Sequence, residues 1–147
     1  MLPFVLVSFR HGVKWGLFTG FVNGCLQMLL GFWAPPTPTF IYFLGEILLD
    51  YLVAFTPLGL AGLFKGKKWG IFVGTVVGCL GRFVIHFISG VTVYAQYMPE
   101  EFMGMTMTSP VFYSVLYNGT YMLPNTILAI VICALLMKPA AKLPSAE

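Results

Sequence analysis

The sequence predicts an all-α, polytopic membrane helix bundle of about five spans, and three observations carry that prediction. Of 147 residues, 59% are hydrophobic and only 9% are charged, with a mean hydropathy of +0.88, whereas an ordinary soluble domain is about 25% charged. The apolar residues come in long runs. Charges and turn formers fall between those runs and cut the chain into pieces near the ~20 residues a helix needs to cross a bilayer. Helices follow because lipid offers an open backbone no hydrogen-bond partner. A chain of this length filled with spans leaves no room for a separate aqueous domain, so 1–147 reads as a single transmembrane domain.

Each segment can be justified in order. Residues 1–9 are apolar but too few to cross, so they read as a partial span, and a further helix before Met1 is expected. The cations follow this stretch instead of preceding it, the reverse of a signal peptide. Arg10, His11 and Lys14 separate it from a span at 15–32. The Pro-rich stretch Trp33 to Pro38 leads to a third span at 39–64. Lys65, Lys67 and Lys68 precede a fourth at 69–97. A loop around Pro99, Glu100 and Glu101 leads to a fifth at 110–137, and 138–147 is a tail with Lys138 and Lys142. The cations outside the spans fall in alternate connections. By the positive-inside rule those connections and the C-terminus are cytoplasmic, and the Pro-rich and Glu100-Glu101 loops face outward across the cell membrane.

A repeat divides the chain. Gly12 to Leu26 matches Gly66 to Leu80 at an offset of 54, with 10 of 15 positions identical. Each copy carries a glycine every fourth residue (Gly12, Gly16, Gly20, Gly24; Gly66, Gly70, Gly74, Gly78), a stripe that lets helices approach closely. It reads as packing, not ligand binding.

Ionisable groups inside a span are costly, about 2.5 to 3.5 kcal/mol on insertion scales. Glu46 and Asp50 stand four residues apart on the third span, and Arg82 and His86 four apart on the fourth, so each pair shares a helix face. Two acids and two bases can pair, and an ion pair of Asp50 or Glu46 with Arg82 that fixes helix register is one expectation. His86 lies ~25 Å up a helix that starts at the cytoplasmic face, at ~1.5 Å per residue. Ser89, Gly90, Tyr94 and Tyr97 continue outward from it, and Tyr113, Tyr117, Asn118 and Tyr121 open the last span on the same side. These residues predict a pocket toward the outside. Carboxylates, aromatic faces, an imidazole and an amide suit a flat organic cation; a metal ion would want more oxygens, and none is expected.

Other chemistries lack their signatures. Gly62 to Lys68 looks like a P-loop, but the required Ser or Thr after GK is replaced by Lys68, and HExxH, GxSxG and dinucleotide-binding glycine patterns are absent. An enzyme is not expected. A net charge of +3, scattered along the chain, does not suit nucleic acid. Cys25, Cys79 and Cys133 sit in apolar stretches without ligand spacing and read as small buried hydrophobes. Asn118-Gly119-Thr120 has the form of a glycosylation acceptor but falls inside a span.

Four ordered blocks carry a family resemblance across nearly the whole chain: Arg10 to Gly16; Asp50 to Phe55 with Gly59 to Phe64; Arg82 to Val91; and Tyr113 to Asn118. Together they resemble the thiamine-specific substrate-binding (S) components, the ThiT family, of energy-coupling factor (ECF) transporters. The resemblance implies a six-helix fold whose first helix is missing here. It also implies high-affinity capture of thiamine at the outer side, and docking on a membrane scaffold subunit driven by two cytoplasmic ATPases, so that ATP is used by the partners and no cofactor is held. Carried over by position, the ligand contacts fall on Asp50, Tyr51, His86, Gly90, Tyr113 and Asn118, with Tyr94 beside them and Glu46, Arg82 and Tyr117 in support. The expected roles are Asp50 as counter-charge to the thiazolium, Tyr51 and Tyr94 as stacking faces, and His86, Tyr113 and Asn118 as hydrogen-bond partners. Two departures stand out: the family usually has Glu at Asp50 and Trp at Tyr94. Another vitamin or pyrimidine-precursor capture subunit is the nearest alternative, and a structural or assembly membrane protein the second.

Overall fold

The computed structural model describes residues 1–32 and 39–140; the Pro-rich loop expected to face outward and the end of the tail, with Lys142, lie outside the described residues. Five helical stretches follow one another: α1 (Leu2–His11), α2 (Val13–Gly31), a third that begins as α3 (Phe40–Glu46), then α4 (Gly70–Thr92) and α5 (Pro110–Ala140). Phe40–Phe64, Gly70–Thr92 and Pro110–Leu136 are long and apolar enough to cross a bilayer. α2 has the length, at 19 residues, but Lys14, Asn23 and Gln27 dilute it. Large apolar side chains point outward, including Leu29, Leu30 and Leu135 at 82, 86 and 70% exposure. That distribution suits a lipid surround and would be costly in water.

The third span is not one α-helix. After Glu46 the ladder widens into a π-helical stretch, Ile47–Leu52, in which the Val53 N–H donates to the Leu48 carbonyl at 2.8 Å, then tightens into a 3-10 helix, Thr56–Phe64. Pro57 supplies one reason: it has no N–H to continue the α ladder and fixes its own φ. π-turns concentrate at functional sites, and this one carries Asp50 and Tyr51.

The glycine stripes explain how the bundle closes. A β-carbon on Gly20 would lie 2.5 Å from the Phe55 carbonyl oxygen, and one on Gly24 3.2 Å from the Leu52 α-carbon; on α4, a β-carbon on Gly74 would lie 2.6 Å from the Ala61 oxygen and one on Gly78 3.0 Å from the Leu58 α-carbon. The two repeat copies therefore clamp the same third span from two sides. As the glycine numbers rise along α2 and along α4, the partner numbers fall, so both copies run antiparallel to the third span and parallel to each other. The first glycine of each stripe does something else. Gly12 and Gly66 have φ of 97° and 83°, a left-handed conformation that glycine adopts without steric cost, and each turns the chain before its helix.

α1 packs on the same span from a further side. The Ser8 hydroxyl donates to the Gly59 carbonyl and accepts from the Gly62 N–H at 2.9 Å, while Val5 joins a core with Leu58 and Ala61. The Lys65 ammonium donates to the Arg10 carbonyl at 2.7 Å, which brings the first two cationic connections to one end of the bundle.

At the other end, α4 stops at Thr92 and not near Tyr97: the N–H groups of Val93 and Tyr94 both return to the Ser89 carbonyl, and a separate 3-10 turn, Ala95–Tyr97, follows. The loop expected around Glu100 and Glu101 contains a small antiparallel hairpin, β1 (Glu101–Phe102) and β2 (Met105–Thr106), turned by Met103 and Gly104 at φ 53° and 75°.

Candidate functional site

The site forms where the π-helical stretch of the third span faces the C-terminal half of α4 and the N-terminal part of α5. There the walls enclose a cavity of about 470 Å³, within the usual range of about 300 to 1,000 Å³ for small-molecule sites. All of Glu46, Asp50, Tyr51, Arg82, His86 and Gly90 line it, as do Tyr94, Tyr113, Tyr117 and Asn118. The ten residues singled out from sequence are thus brought together, not scattered among faces of the bundle.

A directed chain of hydrogen bonds crosses the cavity. The Arg82 Nε–H donates to His86 Nε2 at 3.3 Å, and His86 Nδ1 lies 2.7 Å from Asp50 Oδ1. Arginine has no acceptor, so Nε2 must be the accepting nitrogen and Nδ1–H the donor to Asp50. The imidazole is then neutral and relays between a guanidinium and a carboxylate. The second Asp50 oxygen accepts from the Ser89 hydroxyl. The Asp50 and His86 side chains are 18% and 13% exposed, so this polarity is shielded and electrostatically strong.

This arrangement corrects the expected register-setting ion pair. Among the described residues the carboxylate partner is His86, with Ser89, and not Arg82, whose guanidinium carbon lies 4.1 Å over the centre of the Phe55 ring. Stacking on an aromatic face stabilises a cation in a place with little water.

α5 supplies an aromatic ladder. Tyr113, Tyr117 and Tyr121 are spaced four apart, with ring centres 5.6 and 5.8 Å apart, and Phe102 of the hairpin packs 5.5 Å from Tyr113 and 5.9 Å from Tyr117. Tyr121 also presents its ring edge-on to His86 at 6.4 Å. On the opposite wall the Tyr94 phenol is hydrogen-bonded to the Glu46 carboxyl, and Tyr51 packs against Phe32 at 5.4 Å.

Two residues expected as ligand contacts, Asn118 and Gly90, line the cavity and also hold its walls together. The Asn118 amide nitrogen donates to the Ser114 carbonyl at 2.9 Å and reaches the Ser114 hydroxyl and the His86 carbonyl, while its oxygen accepts from the Tyr121 hydroxyl at 2.6 Å. Its polar atoms are engaged within the protein, where they tie α5 to α4 beside His86. Gly90 provides close approach: a β-carbon there would collide with the Ser114 side chain and come within 3.7 Å of Asn118 Nδ2.

Ser89, Tyr97 and Tyr121 also line the cavity, as do Gln27, Phe55 and Ser114, which were not singled out from sequence. Gln27 had a legible signal, an uncharged polar side chain inside an apolar run. Phe55 and Ser114 look like ordinary span residues until the fold places them.

Residues 1–145 match the model of the family described as "Thiamine transporter protein". Thiamine transporter ThiT of Bacillus subtilis (strain 168) is 38% identical over 152 aligned positions, covering 93% of this chain and 72% of that one. Thiamine transporter ThiT of Lacticaseibacillus paracasei is 30% identical, covering 97% and 73%. A solved structure of ThiT from Listeria monocytogenes shares the fold at a TM-score of 0.79, with 19% identity over 97% of this chain and 78% of that one. An all-α membrane architecture, a match along almost the entire chain and relatives that are transporters and not enzymes lead to one conclusion: the chain belongs to the thiamine transporter protein family.

Proposed function

We propose that the protein is the thiamine-capturing S component of an ECF-type, ATP-driven importer in the cell membrane. It binds its ligand from the outer side, keeps its C-terminus in the cytoplasm, and leaves ATP hydrolysis to two ATPases acting through a scaffold subunit. The observation that carries this reading is the cavity in which Asp50, oriented by His86 and Ser89, shares the walls with Tyr94, just beyond α4, and the tyrosines of α5. A carboxylate shielded from water among aromatic rings suits a flat cation carried on a heteroaromatic frame. Asp50 supplies the counter-charge, Tyr51 and Tyr94 the faces, and His86, Tyr113 and Asn118 the polar edges.

The outward orientation draws on charge. His86 stands sixteen residues beyond Gly70 on α4, about 24 Å at ~1.5 Å per residue, and the Lys65 to Lys68 connection lies at the other end. If the cationic end is cytoplasmic, the cavity is in the outer half of the membrane.

Thiamine titrated into the detergent-purified protein is expected to quench intrinsic Tyr and Trp fluorescence saturably. A folded protein that gives no saturable signal with thiamine, or that binds an unrelated vitamin more tightly, contradicts the proposal.

A further inference from the structure

Glu46 is the last residue of α3, at the seam where the α ladder gives way to the π-helical turn. It is 1% exposed and lines the cavity. Its carboxyl group is hydrogen-bonded to the Tyr94 phenol, yet its Oε2 has no hydrogen-bond partner among the described residues. Asp50 is the opposite case, with one oxygen on His86 and the other on Ser89. Four cavity donors are used elsewhere: His86 Nδ1–H and the Ser89 hydroxyl on Asp50, the Asn118 amide on Ser114, the Tyr121 hydroxyl on Asn118.

A carboxyl oxygen buried without a donor is costly, and the cost is relieved when a donor is brought to it. On a residue that lines a ligand cavity, an oxygen that gains a donor only when ligand is bound favours the bound state over the empty one. It also favours a particular kind of ligand. We infer that Glu46 is the specificity-determining acceptor of this site: its free Oε2 takes an N–H hydrogen bond from the ligand, so the cavity selects molecules that carry an amino group beside their cationic ring. The inference rests on the thiamine reading. The thiazolium nitrogen of thiamine is quaternary and has no N–H, so the N–H donors of the ligand are those of the amino group on its pyrimidine ring. Asp50 then meets the charge and Glu46 the amino group, a division of labour between two acids on one turn of helix.

The test uses the full chain and two ligands, thiamine and the analogue in which the pyrimidine amino group is replaced by a carbonyl oxygen. A site with a buried acceptor rejects an analogue that lacks the donor far more strongly than one that lacks a methylene, so the wild-type protein is expected to prefer thiamine by about 100-fold or more. In Glu46→Gln the side-chain oxygen can still serve Tyr94 while an NH2 group replaces Oε2, so the preference is expected to shrink by about tenfold or more. Equal weakening of both ligands, or an unchanged ratio, overturns the inference, since a residue that merely braces Tyr94 would not alter discrimination. Should the variant fail to fold, the wild-type ratio decides alone: equal affinity for the two ligands overturns the role of Glu46. Wild-type protein that binds neither ligand overturns the thiamine reading itself, and this inference with it.

Discussion

Replacing Asp50 with asparagine is expected to weaken thiamine binding by about 2 to 5 kcal/mol, the range for removing one member of a desolvated charge pair. Several losses coincide at this position. The cation loses its counter-charge in a place where water cannot replace it. His86 Nδ1–H and the Ser89 hydroxyl both donate to Asp50, and an asparagine offers one acceptor oxygen where the carboxylate offered two. The imidazole, held by Arg82 on its far nitrogen, is then no longer fixed on both sides. Titration calorimetry on the variant reads this directly. An unchanged dissociation constant would mean that Asp50 serves only to brace the third span against α4.

The second large effect is on stability. Gly74→Val places a β-carbon 2.6 Å from the Ala61 carbonyl oxygen and 2.9 Å from its α-carbon. These are backbone atoms, which cannot turn aside as a side chain can, so the helices must separate and the variant is expected to lose about 3 kcal/mol. The equivalent change on the other copy of the repeat, Gly20→Val, meets the Phe55 carbonyl at 2.5 Å and should cost a similar amount. Gly119 is the control. A β-carbon there meets nothing within 4 Å, so Gly119→Ala within α5 should be neutral or stabilise by up to about 1 kcal/mol through helix propensity. Thermal unfolding in detergent orders the three variants. A Gly74→Val protein as stable as wild type would show that α4 does not clamp the third span as described.

The stripe and the polar residues were legible in the sequence for a shared reason: few residue types are tolerated in their places. A glycine every fourth residue in an apolar run has little use except close packing, and the structure gives it that use at Gly16, Gly20 and Gly24 and at Gly70, Gly74 and Gly78. Asp50, His86 and Arg82 stood out because lipid cannot solvate them. What they pair with was not legible. Four-residue spacing puts Arg82 and His86 on one face, but which of them reaches Asp50 depends on the rotation and depth of α4 against a third span whose π-helical stretch alters the local register. That stretch had no advance sign, since Ile47 to Leu52 contains neither Pro nor Gly. Asn118 shows the reverse difficulty: its place in the cavity wall could be read from the chain, whereas the engagement of its amide with Ser114 and Tyr121 depends on how α5 meets α4. The hairpin at Glu101 to Thr106 was hidden because two strands of two residues leave no alternating pattern to detect.

The most direct test of the account is an experimental structure of the protein with thiamine bound. The account predicts ligand density inside the cavity between the π-helical turn and α5, with the thiazolium ring beside Asp50 and the ring faces against Tyr94 or Tyr51. Thiamine held on another surface of the bundle, or a cavity that stays closed at saturating thiamine, would contradict it.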